Sequence, residues 1–173
     1  MSVKPLQPEK THALRLSVTA FILLMLDSVG KMKVNEEFLH SLSYMVQSQM
    51  KDGCYPTMNW TIRSGLIFSS EVEKGLQIAR RQGLVSAPPS VNLTATGRRH
   101  CSLLGVSVEH CRNDLREATA YTLGVCKDEP HSLCTAAAAL ASGFDKSLLD
   151  RHVLAIIKRH SRFMTRLGHL TNA

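Results

Sequence analysis

The stretch that decides the fold is SSEVEKGLQIARRQGLVSAPPSVNLTATGRR, residues 69–99. It reads as a helix, a short hairpin and the start of a second helix. Ser70 is placed to cap the first helix, and Glu73 follows three residues later as the reciprocal partner of a capping box. Val72, Leu76 and Ala79 recur on one face, with Gly75 permitting a close neighbour. Gly83 directly after Arg80-Arg81-Gln82 is the expected stop, and basic residues in the last turn suit the negative helix end. The spacing therefore predicts a helix over Ser70–Gln82. Leu84-Val85 and Val91-Asn92-Leu93 are short apolar runs separated by Ser86-Ala87-Pro88-Pro89-Ser90, a connection that turns but cannot be helical. A hairpin turning at Ala87–Ser90 is expected, with Thr94–Arg99 opening the next helix.

Working outward on the N-terminal side, residues 1–10 read as a flexible arm, with Pro5 and Pro8 among polar neighbours. Thr11–Val29 reads as a helix that is apolar nearly all round in its second half, ended by Gly30 and central to the core. The run Phe21–Leu26 is too short to span a membrane, and no small-residue cleavage pattern follows it. A second helix starts at Asn35 as N-cap with Glu36 and Glu37 in its first turn, carries Phe38, Leu42, Met45 and Val46 at helical spacing, and stops at Asp52-Gly53. Met58, Trp60 and Ile62 alternate with polar residues, the pattern of a half-buried strand, expected to pair with the hairpin in a three-stranded sheet. Trp60, the sole tryptophan, reads as a core anchor.

On the C-terminal side, a helix from about Ala95 to Leu104 is expected to end at Gly105, and a longer one to span Ser107–Val125. Pro130 breaks the chain before an alanine-rich helix, residues 131–142, which Gly143 stops. Asp145 is placed to cap a last helix running towards Leu170. Its second half keeps only Phe163, Met164 and Leu167 as a sparse apolar stripe among Arg159, Arg162 and Arg166. That composition suits a partner-binding surface, since aromatics, Met and Arg are enriched at interfaces.

The 173 residues, 44% of them hydrophobic and 20% charged, are enough for one good core. Five cysteines, with no pair at C-x-x-C spacing, argue against a secreted disulfide framework and for a reducing, cytoplasmic setting. Net charge is +7. Counted as Lys plus Arg less Asp plus Glu, residues 71–100 carry +3 and 145–173 carry +4, while 101–144 carry −2. Positive charge gathered in two places suits a polyanion or an acidic partner.

The order helix, Gly83-Leu84-Val85, turn, Val91-Asn92-Leu93-Thr94-x-x-Gly97-Arg98-Arg99 resembles the wing and exit of many bacterial winged-helix proteins. The upstream segments Phe38–Tyr44 and Met58–Gly65 are similar to those of small accessory proteins, namely the middle component of three-component ABC-ATPase systems. These include the Lamassu-type antiviral and anti-plasmid systems built round an SMC-like ATPase. The likeness covers residues 10–105 and rests on order and spacing. It implies a mainly α fold with a small β-sheet: a winged-helix domain over residues 11–105 followed by a helical extension over 106–173. It also implies a non-enzymatic accessory subunit whose partners are the SMC-like ATPase, an effector nuclease and double-stranded DNA. A stand-alone winged-helix transcriptional regulator and a Panacea-type antitoxin holding a toxin are the alternatives.

Lys74, Gln77, Arg80 and Arg81 on the first helix, with Arg98 and Arg99 beyond the hairpin, are the candidate DNA-binding residues, Arg being able to bond guanine bidentately. An ordinary solvated helix face accounts for the same residues, and Glu71 and Glu73 oppose the DNA reading. Of the pairs His100-Cys101, His110-Cys111 and His131-x-x-Cys134, only the last has ligand-like spacing, so the cysteines read as small buried hydrophobes and no metal is expected. No Walker A sequence, G-x-S-x-G or H-E-x-x-H is present, and no catalytic residue or cofactor is assigned. Asp27 is the one acid in strongly apolar surroundings, expected to bond its helix end or linker.

Overall fold

Ser17 Oγ accepts the Ala20 N–H at 3.1 Å and opens α1 (Val18–Val29), and every residue from Phe21 to Leu26 is buried, so no side of its middle turns is left for water. The computed structural model describes residues 16–50, 55–126, 129–143 and 151–166; the expected arm, Asp145 and Leu167 lie outside them. Gly30 ends α1 as expected. Asn35 Oδ1 accepts the Phe38 N–H at 2.8 Å to start α2 (Glu36–Gln47). That helix stops well before Asp52-Gly53, because Ser48 turns its Oγ back onto the Met45 carbonyl at 2.7 Å.

The sheet differs from the expected one. Strand β1 (Thr61–Arg63) pairs antiparallel with β2 (Leu66–Phe68), Ile62 opposite Ile67, through the two-residue turn Ser64-Gly65. Both turn residues have positive φ (50° and 77°), as a tight hairpin requires. Met58 is buried and Trp60 half-buried, but Thr61, Ile62 and Arg63 are all exposed, so the alternation fades where the strand begins. Trp60 donates from Nε1 to Gln47 Oε1 at 2.7 Å and packs edge-on against Tyr44, which is the anchoring role expected of it.

The expected hairpin at 84–93 pairs elsewhere. Val85 bridges Leu93, Asn35 bridges Ser90, and the Val91 N–H donates to the Val34 carbonyl at 2.7 Å. Its partner is thus the short link between α1 and α2, not Met58–Ile62, which β2 has already claimed.

Helix α3 (Ser70–Arg81) is capped one residue earlier than expected. Ser69 Oγ accepts the Val72 N–H at 3.4 Å, so Ser70 is the first helical residue and Glu73 is not its capping-box partner. At the other end the Gly83 N–H reaches Arg80 O and the Leu84 N–H reaches Ala79 O, both at 2.9 Å. These two bonds make a Schellman motif, with Gly83 at φ 68° as the left-handed residue.

Thr94 Oγ1 accepts the Gly97 N–H at 3.0 Å to start α4 (Ala95–Ser107), which runs through Gly105. Val108 alone separates it from α5 (Glu109–Val125). Pro130 opens α6 (Pro130–Ser142) and Gly143 closes it, and α7 (Arg151–Arg166) is the last element among the described residues. The helices after residue 106 share the core with those before it: α5 packs on α1, α6 on α2 and the hairpin, and α7 on α6 and α5. The protein is therefore mainly helical with a small two-stranded antiparallel sheet.

Two glycines mark where backbones meet. A Cβ on Gly75 would sit 3.0 Å from Val18 Cγ1 and 3.1 Å from Ile22 Cδ1, so α3 lies directly on α1. A Cβ on Gly97 would overlap the Leu84 carbonyl oxygen. Gly97→Ala is expected to cost more than about 3 kcal/mol or to prevent folding, because a backbone carbonyl cannot yield as a side chain does. Gly124, in α5 with nothing within 4 Å of its Cβ position, is the control. Gly124→Ala is expected to stabilise by about 0.5–1 kcal/mol through helix propensity, both changes being read by urea denaturation.

His160 ties α7 to the end of α2. Its ring is 6% exposed, its Nε2 lies 3.1 Å from Ser48 Oγ, and burial pulls its pKa down from 6.5 to about 4. The unfolded chain thus binds the proton first. Stability is fully present above pH 6.5 and falls as pH drops towards 4, by about 3 kcal/mol in all. Thermal melts across that range are expected to show this loss, and His160→Gln, which keeps a polar group for Ser48, to reduce it.

Candidate nucleic-acid interface

The two faces of α3 divide by helical spacing. Val72, Gly75, Leu76 and Ala79 are buried, whereas Lys74, Gln77, Ile78 and Arg81 are exposed, at i, i+3, i+4 and i+7 on the opposite face. Three of the six candidate DNA-binding residues therefore share one solvent-facing stripe. Ile78, 45% exposed between them, joins that stripe and is not among the candidates read from sequence. An apolar group there is what the C5-methyl of thymine would meet in a major groove.

Arg80 does something else. Its Nη1 donates to Glu36 Oε1 at 2.6 Å and its Nε to the Ser86 carbonyl at 3.2 Å. Only 18% of the side chain is exposed, so Arg80 clamps the start of α2 and the turn 84–93 onto α3. Its position one residue from Arg81 rotates it about 100° round the helix, off the exposed stripe.

Arg98 and Arg99 are exposed on the first turns of α4. Arg98 lines a cleft with the end of α1, the link after it and residues 91–93, and none of Lys74, Gln77, Ile78 and Arg81 lines it. It is thus separate from the stripe, which α3 presents away from α1. Arg63 is a cation that sequence reasoning missed. It is exposed on β1, with its guanidinium 3.7 Å from the centroid of the Phe68 ring, immediately before the α3 N-cap.

The acids at the start of α3 are committed internally. Glu71 accepts from Asn59 Nδ2 at 2.9 Å and from Ser69 Oγ at 2.8 Å, and these bonds hold its pKa down to about 2. Glu73 accepts from Gln77 Nε2 at 3.0 Å and lies 3.8 Å from His40 Nε2. His40 is buried, takes the Ser69 N–H on Nδ1 at 3.2 Å and stacks on Phe68 at 4.7 Å. Nδ1 must be unprotonated to accept that bond, and burial lowers the ring's pKa despite the Glu73 and Glu36 carboxylates. A neutral histidine with its Nε2–H towards Glu73 therefore fixes the origin of α3.

The remaining candidates sort differently from their sequence reading. Asp27 bonds neither its own helix end nor the linker; it pairs with Arg112 of α5 at 3.1 Å. Cys101, Cys126 and Cys134 are buried free thiols with raised pKa values, Cys101 and Cys126 to about 11, all through burial. Cys111 is disulfide-bonded, which corrects the expectation of thiols alone. Pairing follows proximity in space, which spacing along the chain does not report. Among the described residues no three His, Cys, Asp or Glu side chains gather as a metal site. On α7, Arg159 and Arg162 are exposed, while Val153, Ile156, Ile157 and His160 are buried. Phe163, Met164 and Arg166 fall on its last turn. Among the described residues no helix is long and apolar enough to cross a membrane.

No protein-family model matches the chain, and no curated protein or solved structure matches it.

Arg80 is expected to act in stability. Arg80→Met leaves Glu36 without its partner and Ser86 O without its donor, for a loss of about 1–3 kcal/mol. In a double-mutant cycle with Glu36→Gln, measured by denaturant unfolding, the two losses are expected to be non-additive.

Proposed function

We propose that the chain is a non-enzymatic subunit that contacts duplex DNA through the exposed face of α3. The observation that carries this reading is the single stripe Lys74, Gln77, Ile78 and Arg81 on a helix whose other face is locked into the core. The four side chains comprise two cations, an amide able to bond adenine bidentately and a branched alkyl group, a set suited to base edges and phosphates. Glu71, one of the two acids that oppose such contact in sequence, is held by Asn59 and Ser69, and Glu73 lies beside His40, so Gln77 must exchange its bond to Glu73 for one to a base. The order α1, link, α2, α3 and a turn that bridges back to the link is compatible with a reduced winged helix carrying one extra hairpin before α3.

The wider assignment, an accessory subunit joining an SMC-like ATPase to an effector nuclease in a defence complex, rests on the resemblance of residues 10–105. The protein-binding surface in this reading is Arg159, Arg162, Phe163, Met164, Arg166 and Leu167, of which Arg159 and Arg162 are exposed on α7.

Fluorescence anisotropy with a labelled duplex tests the DNA contact. Affinity is expected to fall steeply with salt, and the triple change Lys74→Glu, Gln77→Ala, Arg81→Glu to weaken binding by at least about tenfold. Arg159→Glu with Arg162→Glu is expected to leave DNA affinity within about twofold, since these charges lie on another element. Equal affinity of the triple variant and the unmodified protein overturns the DNA reading.

A further inference from the structure

A concave cleft of about 620 Å3 lies between the end of α1, the link that follows it and the start of α4. Leu26, Val29, Val34, Val91 and Leu93 form its floor, all buried, with Met32 half-buried beside them. Its rim carries Lys31, Lys33 and Arg98, all exposed. The one acid in the lining, Asp27, is already paired with Arg112 at 3.1 Å. Among the described residues, none of the three rim cations has a carboxylate partner.

We infer that this cleft binds a small amphiphilic anion: an alkyl or aryl body on the floor, with a carboxylate or phosphate head held by Lys31, Lys33 and Arg98. Floor and rim require both parts. The rim offers three cations to an anionic head, and half-buried Met32 with the margins of Leu26, Val29 and Leu93 offers an apolar edge to the body. The volume is that of a small-molecule site, and a few convergent charges over an apolar lining are its usual composition. The lining of the cleft includes none of Lys74, Gln77 and Arg81. This inference therefore stands independently of the DNA reading. The lining joins residues of α1, its link, residues 91–93 and α4, so a bound molecule would bridge four segments that otherwise meet through few backbone bonds.

The test uses the full chain with its methyl groups labelled for NMR, titrated with decanoate, decyl phosphate, decanol and inorganic phosphate below micelle-forming concentrations. Saturable shifts confined to Leu26, Val29, Met32, Val91 and Leu93 are expected with decanoate or decyl phosphate, the tighter of the two identifying the head group. Decanol and inorganic phosphate are expected to bind at least about tenfold more weakly. The variant Lys33→Gln with Arg98→Gln is expected to lower affinity for the anion about five- to tenfold, with an unchanged melting temperature, because both side chains are exposed. Equal binding of decanol, shifts spread over the whole protein, or the same methyl shifts produced by duplex DNA in place of the amphiphile would each overturn the inference.

Discussion

The burial of the middle of α1 on all sides is the constraint from which the remaining arrangement follows. Phe21, Ile22, Leu23 and Met25 have no solvent exposure, and full burial of such side chains contributes about 1.5–3 kcal/mol each. A helix of this kind must be surrounded. α3 closes one side through Gly75, α4 another through Cys101, whose thiol donates to the Leu23 carbonyl at 3.5 Å, and α5 a third through Arg112 on Asp27. Each neighbour then has one face committed to the core, and the opposite face of α3 is left to solvent.

Placement of that free face depends on polar contacts at both ends of α3. At its start, His40 holds the Ser69 N–H while Asn59 and the two serines hold Glu71. At its end, the Schellman bonds turn the chain sharply and Gly97 rests on the carbonyl of Leu84. Arg80 then fastens the turn 84–93 to both α2 and α3. Rigid support of this sort lets a short helix present Lys74, Gln77, Ile78 and Arg81 in fixed register. The same turn forms one wall of the α1 cleft, so two surfaces of different chemistry share one structural element.

Much of this was legible in the chain. Local signals act over three or four residues, and they placed the cap at Asn35, the stops at Gly30, Gly83 and Gly143, the helix at 70–82, one residue longer than α3, and the break at Pro88-Pro89. The shift of the α3 cap from Ser70 to Ser69 arises because two adjacent serines satisfy the same rule, and His40, 29 residues from Ser69 in the chain, selects between them. The β1–β2 hairpin carried a local signal too, since Ser64-Gly65 between short apolar runs is a turn dipeptide. The stronger alternation at Met58–Ile62 drew attention to one strand and away from its neighbour.

What the sequence determined by itself, then, was the helical class, most helix boundaries and the separation of α3 into two faces, because periodicity and capping are properties of neighbouring residues. Tertiary structure alone decided which charged groups are free. Arg80 and Arg81 are adjacent and chemically identical, yet one is spent on Glu36 and Ser86 and the other faces solvent. Asp27 finds Arg112 eighty-five residues away, Arg98 turns to the α1 cleft, and Cys111 is bonded while three other cysteines are not. Ion pairs, clefts and disulfides are fixed by which distant segments the core brings together, and that depends on packing all the helices round α1 at once.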